Sequence, residues 1–396
     1  MSDMSERRYD LDWLRIIAFG LLIFYHIGMF FVAWPWHVKS SHAGPEIQPL
    51  MLLTSPWRLA LLFLIAGCAT RFMADRMARR RMARMRSLRL LLPLLFGMLV
   101  IVPPQTYAEI VEKLGYSEGV FAFYAKYIAF HGGWRVDGKP LIVPTWNHLW
   151  FVAYLWVYTM IVIALRPVFD FLGLHALPLH GVAAALRQPM ALLLVPPLLI
   201  GVLRLVLRPV FGETHALIDD WYLHVLYLSL FLFGYGIAKQ DGIWLSIERL
   251  RWLALGLAVL AYATMIWAVV TNTGGQGMLL ARPFIWALDL WAWIVMLLGF
   301  GRRWLNVDSP VSGRWRRYLT EAIFPFYILH QTIIVGLGHR ISGLGLSAVT
   351  EAALLVAGTV AGCLAGYEIV RRVAWLRPLF GLRPNQIRGA DSGWVR

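Results

Sequence analysis

Arg15 and His26 stand eleven residues apart in the run LDWLRIIAFGLLIFYHIGMFF, where every other residue except Asp12 is apolar or aromatic. At about 100° per helical residue, eleven steps fall within about 20° of three full turns, so the two side chains share one face. A rise of about 1.5 Å per residue separates them by about 16 Å along the axis, with Phe19 and Leu22 between them. Charges inside an apolar span must face protein or water, which makes them functional candidates. The chemistry on offer is a guanidinium fork for a phosphate or carboxylate at one level, and at the other an imidazole whose ordinary pKa near 6.5 suits proton abstraction at neutral pH. The alternative is that Arg15 snorkels to lipid phosphate and His26 is a hydrogen-bonded packing residue; their shared face favours the functional reading. Asp12, one turn before Arg15, either orients its guanidinium or is a helix-start charge.

A membrane bundle must hold these residues. The 396-residue chain is 59% hydrophobic and 15% charged, with mean hydropathy +0.62, which excludes a soluble globular or disordered protein. Apolar stretches of about 20 residues, each long enough to cross about 30 Å of hydrocarbon, recur along the whole chain. Ten can be placed, at about 12–33, 50–70, 90–108, 147–165, 189–206, 221–238, 252–271, 281–300, 318–337 and 346–369. The expected fold class is all-α: a polytopic membrane protein of about ten transmembrane helices, with residues 1–370 as one transmembrane domain and 371–396 as a basic tail. The net charge of +15 would suggest nucleic acid on a soluble domain; here it follows the loops, so no nucleic-acid partner is expected. With the N-terminus inside, 26 basic residues fall in cytoplasmic segments and 8 outside, while Arg15, Arg58 and Arg204 lie within spans. An even number of spans puts both termini in the cytoplasm. The first span begins too charged and ends too wet, with Trp34, Trp36, His37 and Lys39, to read as a cleaved signal peptide.

The segment from Arg71 to Arg89 holds eight arginines against Asp75 and reads as an interfacial basic helix, serving either as a positive-inside signal that binds anionic lipid or as a phosphate clamp. The longest outer loop is expected from Glu109 to Trp146. Cys68 and Cys363 fall inside spans, where a small apolar role is favoured over a disulfide, and no metal site is expected. Gly274, Gly275 and Gly277 form an outer turn without the strand and helix of a nucleotide fingerprint.

The chain resembles acyltransferase family 3, integral membrane acyltransferases with about ten spans and, in the first helix, an arginine and a histidine separated by ten residues. Arg15 and His26 match that spacing. LFLIAGCAT, ending the second span, resembles the family's FF-x-SG element, with Ala66 where serine is usual. Arg86 and Arg89 before Pro93 resemble its cytoplasmic RxxR and following proline; HLWF at His148–Phe151 and PFYILHQ at Pro325–Gln331 agree as well. WHVKS at Trp36–Ser40 resembles the branch that succinylates osmoregulated periplasmic glucans. The resemblance implies a multi-pass protein of the bacterial inner membrane that carries an acyl group from cytoplasmic acyl-coenzyme A (succinyl- or acetyl-) to a hydroxyl of an extracytoplasmic glycan. Arg86, Arg89 and Arg15 would hold the donor's phosphates, and His26 would act as general base, by direct transfer or through an acyl-histidine. Partners would be acyl-coenzyme A, the glycan and membrane lipids.

Other polar groups are weighed against that frame. Arg58 sits at a depth to pair with a thioester oxyanion or the free carboxylate of a dicarboxylic acyl group, or structurally with Asp289 or Glu368. His330 either relays protons or holds its helix by a cross-helix hydrogen bond, and Glu321, nine residues earlier, faces away unless Pro325 bends the helix. His37 and His148, beside Trp36 and Trp150, contact the acceptor or anchor an aromatic belt; Tyr327 is read as packing. Competing readings are an O-acetyltransferase for another envelope glycan, a proton-coupled secondary transporter, against which the lack of an inverted repeat counts, and a scaffold without chemistry.

Overall fold

The computed structural model describes residues 8–131, 133–136, 138–171, 187–272, 275–307 and 309–384. Among these, nine helices are long and apolar enough to cross a membrane. The tenth expected span is the apolar helix α9 (Trp221–Ile237), whose 17 residues extend about 26 Å. The chain is thus an all-α, polytopic membrane protein.

Helix α1 (Tyr9–Phe31) opens with Asp10 and Asp12 in its first turn, where carboxylates complement the helix dipole. A short α2 (Gln48–Thr54) leads into α3 (Arg58–Ala74). The arginine-rich run is continuous with the third span: α4 (Arg79–Phe96) passes through a π-helical turn (Gly97–Ile101) into α5 (Pro103–Leu114). Arg71 lies in the last turn of α3 and Arg76 in the turn that follows, while the other six arginines form the first turns of a spanning helix rather than a separate interfacial one. The carbonyls that the π turn frees are satisfied by side chains: Tyr124 donates to Leu99, Tyr127 to Met98 at 2.9 Å and Thr332 to Ile101 at 2.6 Å.

The expected outer loop from Glu109 is shorter and more ordered than its composition implies. Glu109 belongs to α5, which runs on to a left-handed cap at Gly115 (φ 64°). Beyond it lie α6 (Val120–Ile128) and a two-residue hairpin, β1 (Arg135–Val136) against β2 (Lys139–Pro140), packed around Phe123, Tyr127 and Trp134. Helices α7 (Trp150–Phe171), α8 (Pro189–Phe211) and α9 follow, then α10 (Asp241–Val270) and α11 (Gln276–Phe300), which pair antiparallel. Helix α12 (Pro310–Ile341) starts with Pro310 behind a Ser309 cap, α13 (Ala348–Arg372) with a Ser347 cap. The helix α13 crosses residue 370 without a break, and α14 (Leu376–Leu379) with Phe380 and Leu382 packs back on the bundle; the rest of the expected tail, from residue 385, lies outside the described residues.

Close crossings hold the site-bearing helices together. A Cβ on Gly67 would lie 1.9 Å from the Phe231 carbonyl oxygen, and one on Gly234 2.0 Å from that of Leu64, so α3 and α9 touch backbone to backbone. The Cys68 Sγ, 3.1 Å from the Gly234 oxygen, seals the same contact. On the other side, α12 packs along α1, where a Cβ on Gly338 would press on the Phe30 ring at 3.0 Å. Gly67→Ala should force α3 from α9 and destabilise the fold by about 1–3 kcal/mol, whereas Gly256→Ala, with nothing within 4 Å of its Cβ, should not. Thermal melts of the two variants in one detergent check this; equal melting temperatures would contradict it.

Candidate active site

His26 on α1, His330 on α12 and His148 on the short turn before α7 converge. His26 Nδ1 lies 2.8 Å from His330 Nε2, with the rings stacked 5.0 Å apart. The His148 ring stands edge-on, 5.0 Å from that of His330 and 6.4 Å from that of His26. His330 Nδ1 faces the carbonyl oxygens of Tyr327 at 2.7 Å and Phe326 at 3.1 Å. A carbonyl only accepts, so Nδ1 carries the hydrogen and Nε2 of the neutral ring has the lone pair. His26 Nδ1 must then donate to it. The lone pair of His26 is left on Nε2, which has no protein partner and belongs to a cavity-lining ring. By the same logic His148 Nε2 donates to the Ile328 oxygen at 3.2 Å, leaving Nδ1 as a buried acceptor without a partner. Tyr327 is more than packing, since its hydroxyl donates to the His148 carbonyl and holds that turn.

The cavity measures about 1380 Å³ and opens at the end of the bundle opposite the N-terminus; His26, His148, Arg58, Trp150, Tyr227 and Trp286 are among its lining. Arg58 is 3% exposed, stacks 4.0 Å over the Tyr25 ring and donates to Thr54 Oγ1 at 3.0 Å, while its Nε has no partner. The structural pair considered for it is not formed. Asp289 instead accepts from Trp293 Nε1 at 3.0 Å, and Glu368 is taken by Tyr318, Arg371 and Arg372. Arg58 is thus a buried cation without a carboxylate partner among the described residues.

At the N-terminal end, Asp12 lies between Arg15 at 3.4 Å and Arg316 at 3.3 Å, orienting the former as its position one turn away allowed. Arg86 turns inward to Thr70 Oγ1 at 3.3 Å and Thr159 Oγ1 at 3.5 Å, while Arg79, Arg80, Arg81 and Arg84 are exposed. Arg89 Nε donates to the Gly381 oxygen at 3.2 Å, so the C-terminal segment braces it. Arg15, Arg86 and Arg89 lie within electrostatic reach of one another, and Nε of both Arg15 and Arg86 is buried without a partner.

Residues 8–368 match the profile of a family described as an acyltransferase domain. The chain belongs to this acyltransferase family. No curated protein and no solved structure matches it.

In this acyltransferase the WHVKS stretch works as a clasp. His37 Nδ1 pairs with Glu109 at 2.5 Å and its Nε2 accepts from Gln331 at 3.2 Å; it does not line the His26 cavity, because these two partners hold it on the other side of α12's His330–Gln331 pair. Lys39 donates to the carbonyls of Met29, at 2.7 Å, and Val32, closing the end of α1; burial, then the charge of Lys113, pulls its ammonium down to about 8. Ser40 donates to Glu351 at 2.5 Å. Behind the histidines, Gln105 accepts from Asn147 at 2.9 Å and Gln331 at 3.1 Å. Tyr25, Gln105, Gln331 and His215 carried no signal by spacing. His215 stacks on Trp150 at 4.4 Å, and burial holds its imidazole below the ordinary range, so it is neutral at pH 7. Arg204 did carry one, as a third intramembrane arginine. Among the described residues no group of three or more His, Cys, Asp or Glu is arranged to hold a metal ion.

His330 acts through His26, so it is a positioning residue. His330→Ala should lower acyl transfer by about 100-fold or more in folded protein, by removing the acceptor that keeps His26 Nε2 unprotonated. His330→Gln, whose amide oxygen can accept from His26 Nδ1, should recover part of that loss. Initial rates across pH for both variants check this; an unchanged rate in His330→Ala would refute the tautomer assignment.

Proposed function

We propose that this membrane acyltransferase takes an acyl group from cytoplasmic acyl-coenzyme A and delivers it to a hydroxyl of an extracytoplasmic glycan, with His26 as general base. The favoured pair is succinyl-coenzyme A and an osmoregulated periplasmic glucan, since WHVKS resembles that stretch of glucans biosynthesis protein C. The carrying observation is the chain of hydrogen bonds from the Tyr327 carbonyl through His330 to His26, which supports an unprotonated Nε2 in an open polar cavity. The protein is then oriented as its basic loops imply, in an inner membrane with the Arg15, Arg86 and Arg89 end in the cytoplasm.

Arg86 and Arg89, without carboxylates among the described residues, and Arg15, which shares Asp12 with Arg316, suit a polyphosphate, and the unpartnered Nε of Arg15 and Arg86 are donors left for it. The pantetheine arm would run the roughly 16 Å from that cluster to His26, a length set by the helix rise. In the reaction His26 Nε2 takes the proton of the acceptor hydroxyl as its oxygen attacks the thioester carbonyl. The tetrahedral adduct collapses by breaking the carbon–sulfur bond, and the imidazolium returns the proton to the coenzyme A thiolate. The products are an ester and free coenzyme A. Arg58, buried and lining the same cavity as His26, would pair with the far carboxylate of a dicarboxylic acyl group, which supports the succinyl reading over acetyl.

Purified protein in nanodiscs, given labelled succinyl- or acetyl-coenzyme A and a glucan, should transfer label to sugar and release free coenzyme A. His26→Ala should abolish transfer while still binding coenzyme A. Arg86→Gln and Arg89→Gln should raise the donor KM by about 10- to 100-fold, the loss of a charge-assisted hydrogen bond. Arg58→Gln should lower kcat/KM for succinyl-coenzyme A by about 100-fold and for acetyl-coenzyme A by a few-fold; equal losses would move Arg58 to the oxyanion. Failure to bind coenzyme A would overturn the donor assignment.

A further inference from the structure

The cavity is larger than an acyl group and one sugar hydroxyl need: small-molecule sites run to about 300–1,000 Å³, against about 1380 Å³ here. Its far sector, away from His26, is built from α8, α9 and α11. Arg204 lies flat over the Trp286 ring at 3.7 Å and donates to the Tyr222 hydroxyl at 2.7 Å. Glu213 is shared, 3.6 Å from Arg204 and 2.7 Å from Arg208. Arg282 lines the same wall. Among the lining residues Arg204 and Arg208 share one carboxylate, Glu213, and Arg58 has no carboxylate partner among the described residues. Arg204 is oriented by ring and hydroxyl, and its side chain is only 15% exposed, so its fork is preorganised rather than solvated.

We infer that Arg204, Arg208 and Arg282 form a subsite for an acidic substituent, a phosphate or carboxylate, on the glycan that receives the acyl group. This rests on the acyltransferase reading above. The Trp286 face and the Tyr222 hydroxyl hold Arg204 in place, and the arginines read the charge. A neutral glycan has nothing to offer the surplus of guanidinium groups. An acidic one replaces the counter-charge that Glu213, divided between two arginines, supplies only in part.

The test measures binding directly. Protein in phosphatidylcholine nanodiscs is titrated with a fluorescent glucan hexasaccharide, either unsubstituted or carrying a single 6-phosphate. The phosphorylated chain should bind at least 10-fold tighter, the advantage should shrink with added salt, and Arg204→Gln should remove most of it. Arg208→Gln, half-exposed and so tolerant of substitution, should show a smaller loss and keeps the inference testable if Arg204→Gln does not fold. Equal affinities for the two chains overturn it. An advantage that vanishes when the nanodiscs contain phosphatidylglycerol also overturns it, by assigning the arginines to a lipid headgroup. The two readings fail separately: label transferred equally well to both chains leaves the acyltransferase reading standing without the acidic subsite, whereas tight phosphate-dependent binding without transfer from any thioester leaves the subsite and removes the glycan from the reaction.

Discussion

The hydrogen bond from His330 Nδ1 to the Tyr327 carbonyl sets the protonation pattern of the whole site. Three residues before His330 on the same helix, this acceptor is always present while α12 is folded, and it leaves His330 one way to meet His26. His330 is fully buried, and its neutral imidazole is locked into one tautomer by the neighbour that can only accept. The lock is useful because α1 and α12 pack tightly enough to hold the 2.8 Å contact, with Gly338 making room for Phe30 and the Lys39 clasp closing the end of α1. Removing any of these supports would change the geometry at His26 without touching the reacting atoms.

Two basic regions sit at opposite ends of α1's polar face. One gathers Arg15, Arg86 and Arg89 with Asp12 as the carboxylate at hand; in the other, Arg204 and Arg208 share Glu213, and Arg58 and Arg282 line the same cavity. Elsewhere the same chain neutralises its charges carefully, as in Glu368 with Arg371 and Arg372, and Glu109 with His37 and Lys113. Arg86, Arg89 and Arg58, with Arg204 and Arg208 sharing one carboxylate, leave positive charge to receive anions at both ends, with an apolar stretch between them that neither end can cross as a free charge.

Much of this was legible in the residues. Length and hydropathy specify the helices, because any span that crosses hydrocarbon must satisfy its own backbone, and ten helices lie where the apolar runs are. The Arg15–His26 face follows from helix geometry alone, and Glu321 does point away from His330, to Arg377 at 3.1 Å. Where the chain turns, the reading was poorer. The stretch from Glu109 to Trp146 is expected as an outer loop, yet α5 runs on to a left-handed cap at Gly115, and Phe123, Tyr127 and Trp134 pack together beyond it. Only the resemblance of Arg86, Arg89 and Pro93 to the family's RxxR and following proline set Arg86, turned inward to two threonines, apart from the exposed Arg79, Arg80, Arg81 and Arg84.

By itself, then, the sequence determined the class of solvent, the positions of the spans, and the two residues of α1 that share a face, since these depend on composition and on one period repeated along one helix. The tertiary structure decided which histidine meets which, that His148 joins the cluster while His37 stays behind it, and that Arg58 finds an aromatic ring and a hydroxyl in place of Asp289 or Glu368. Contacts between helices hundreds of residues apart depend on how backbones cross, as Gly67 and Gly234 cross at α3 and α9, and no spacing along the chain encodes the angle at which they do so.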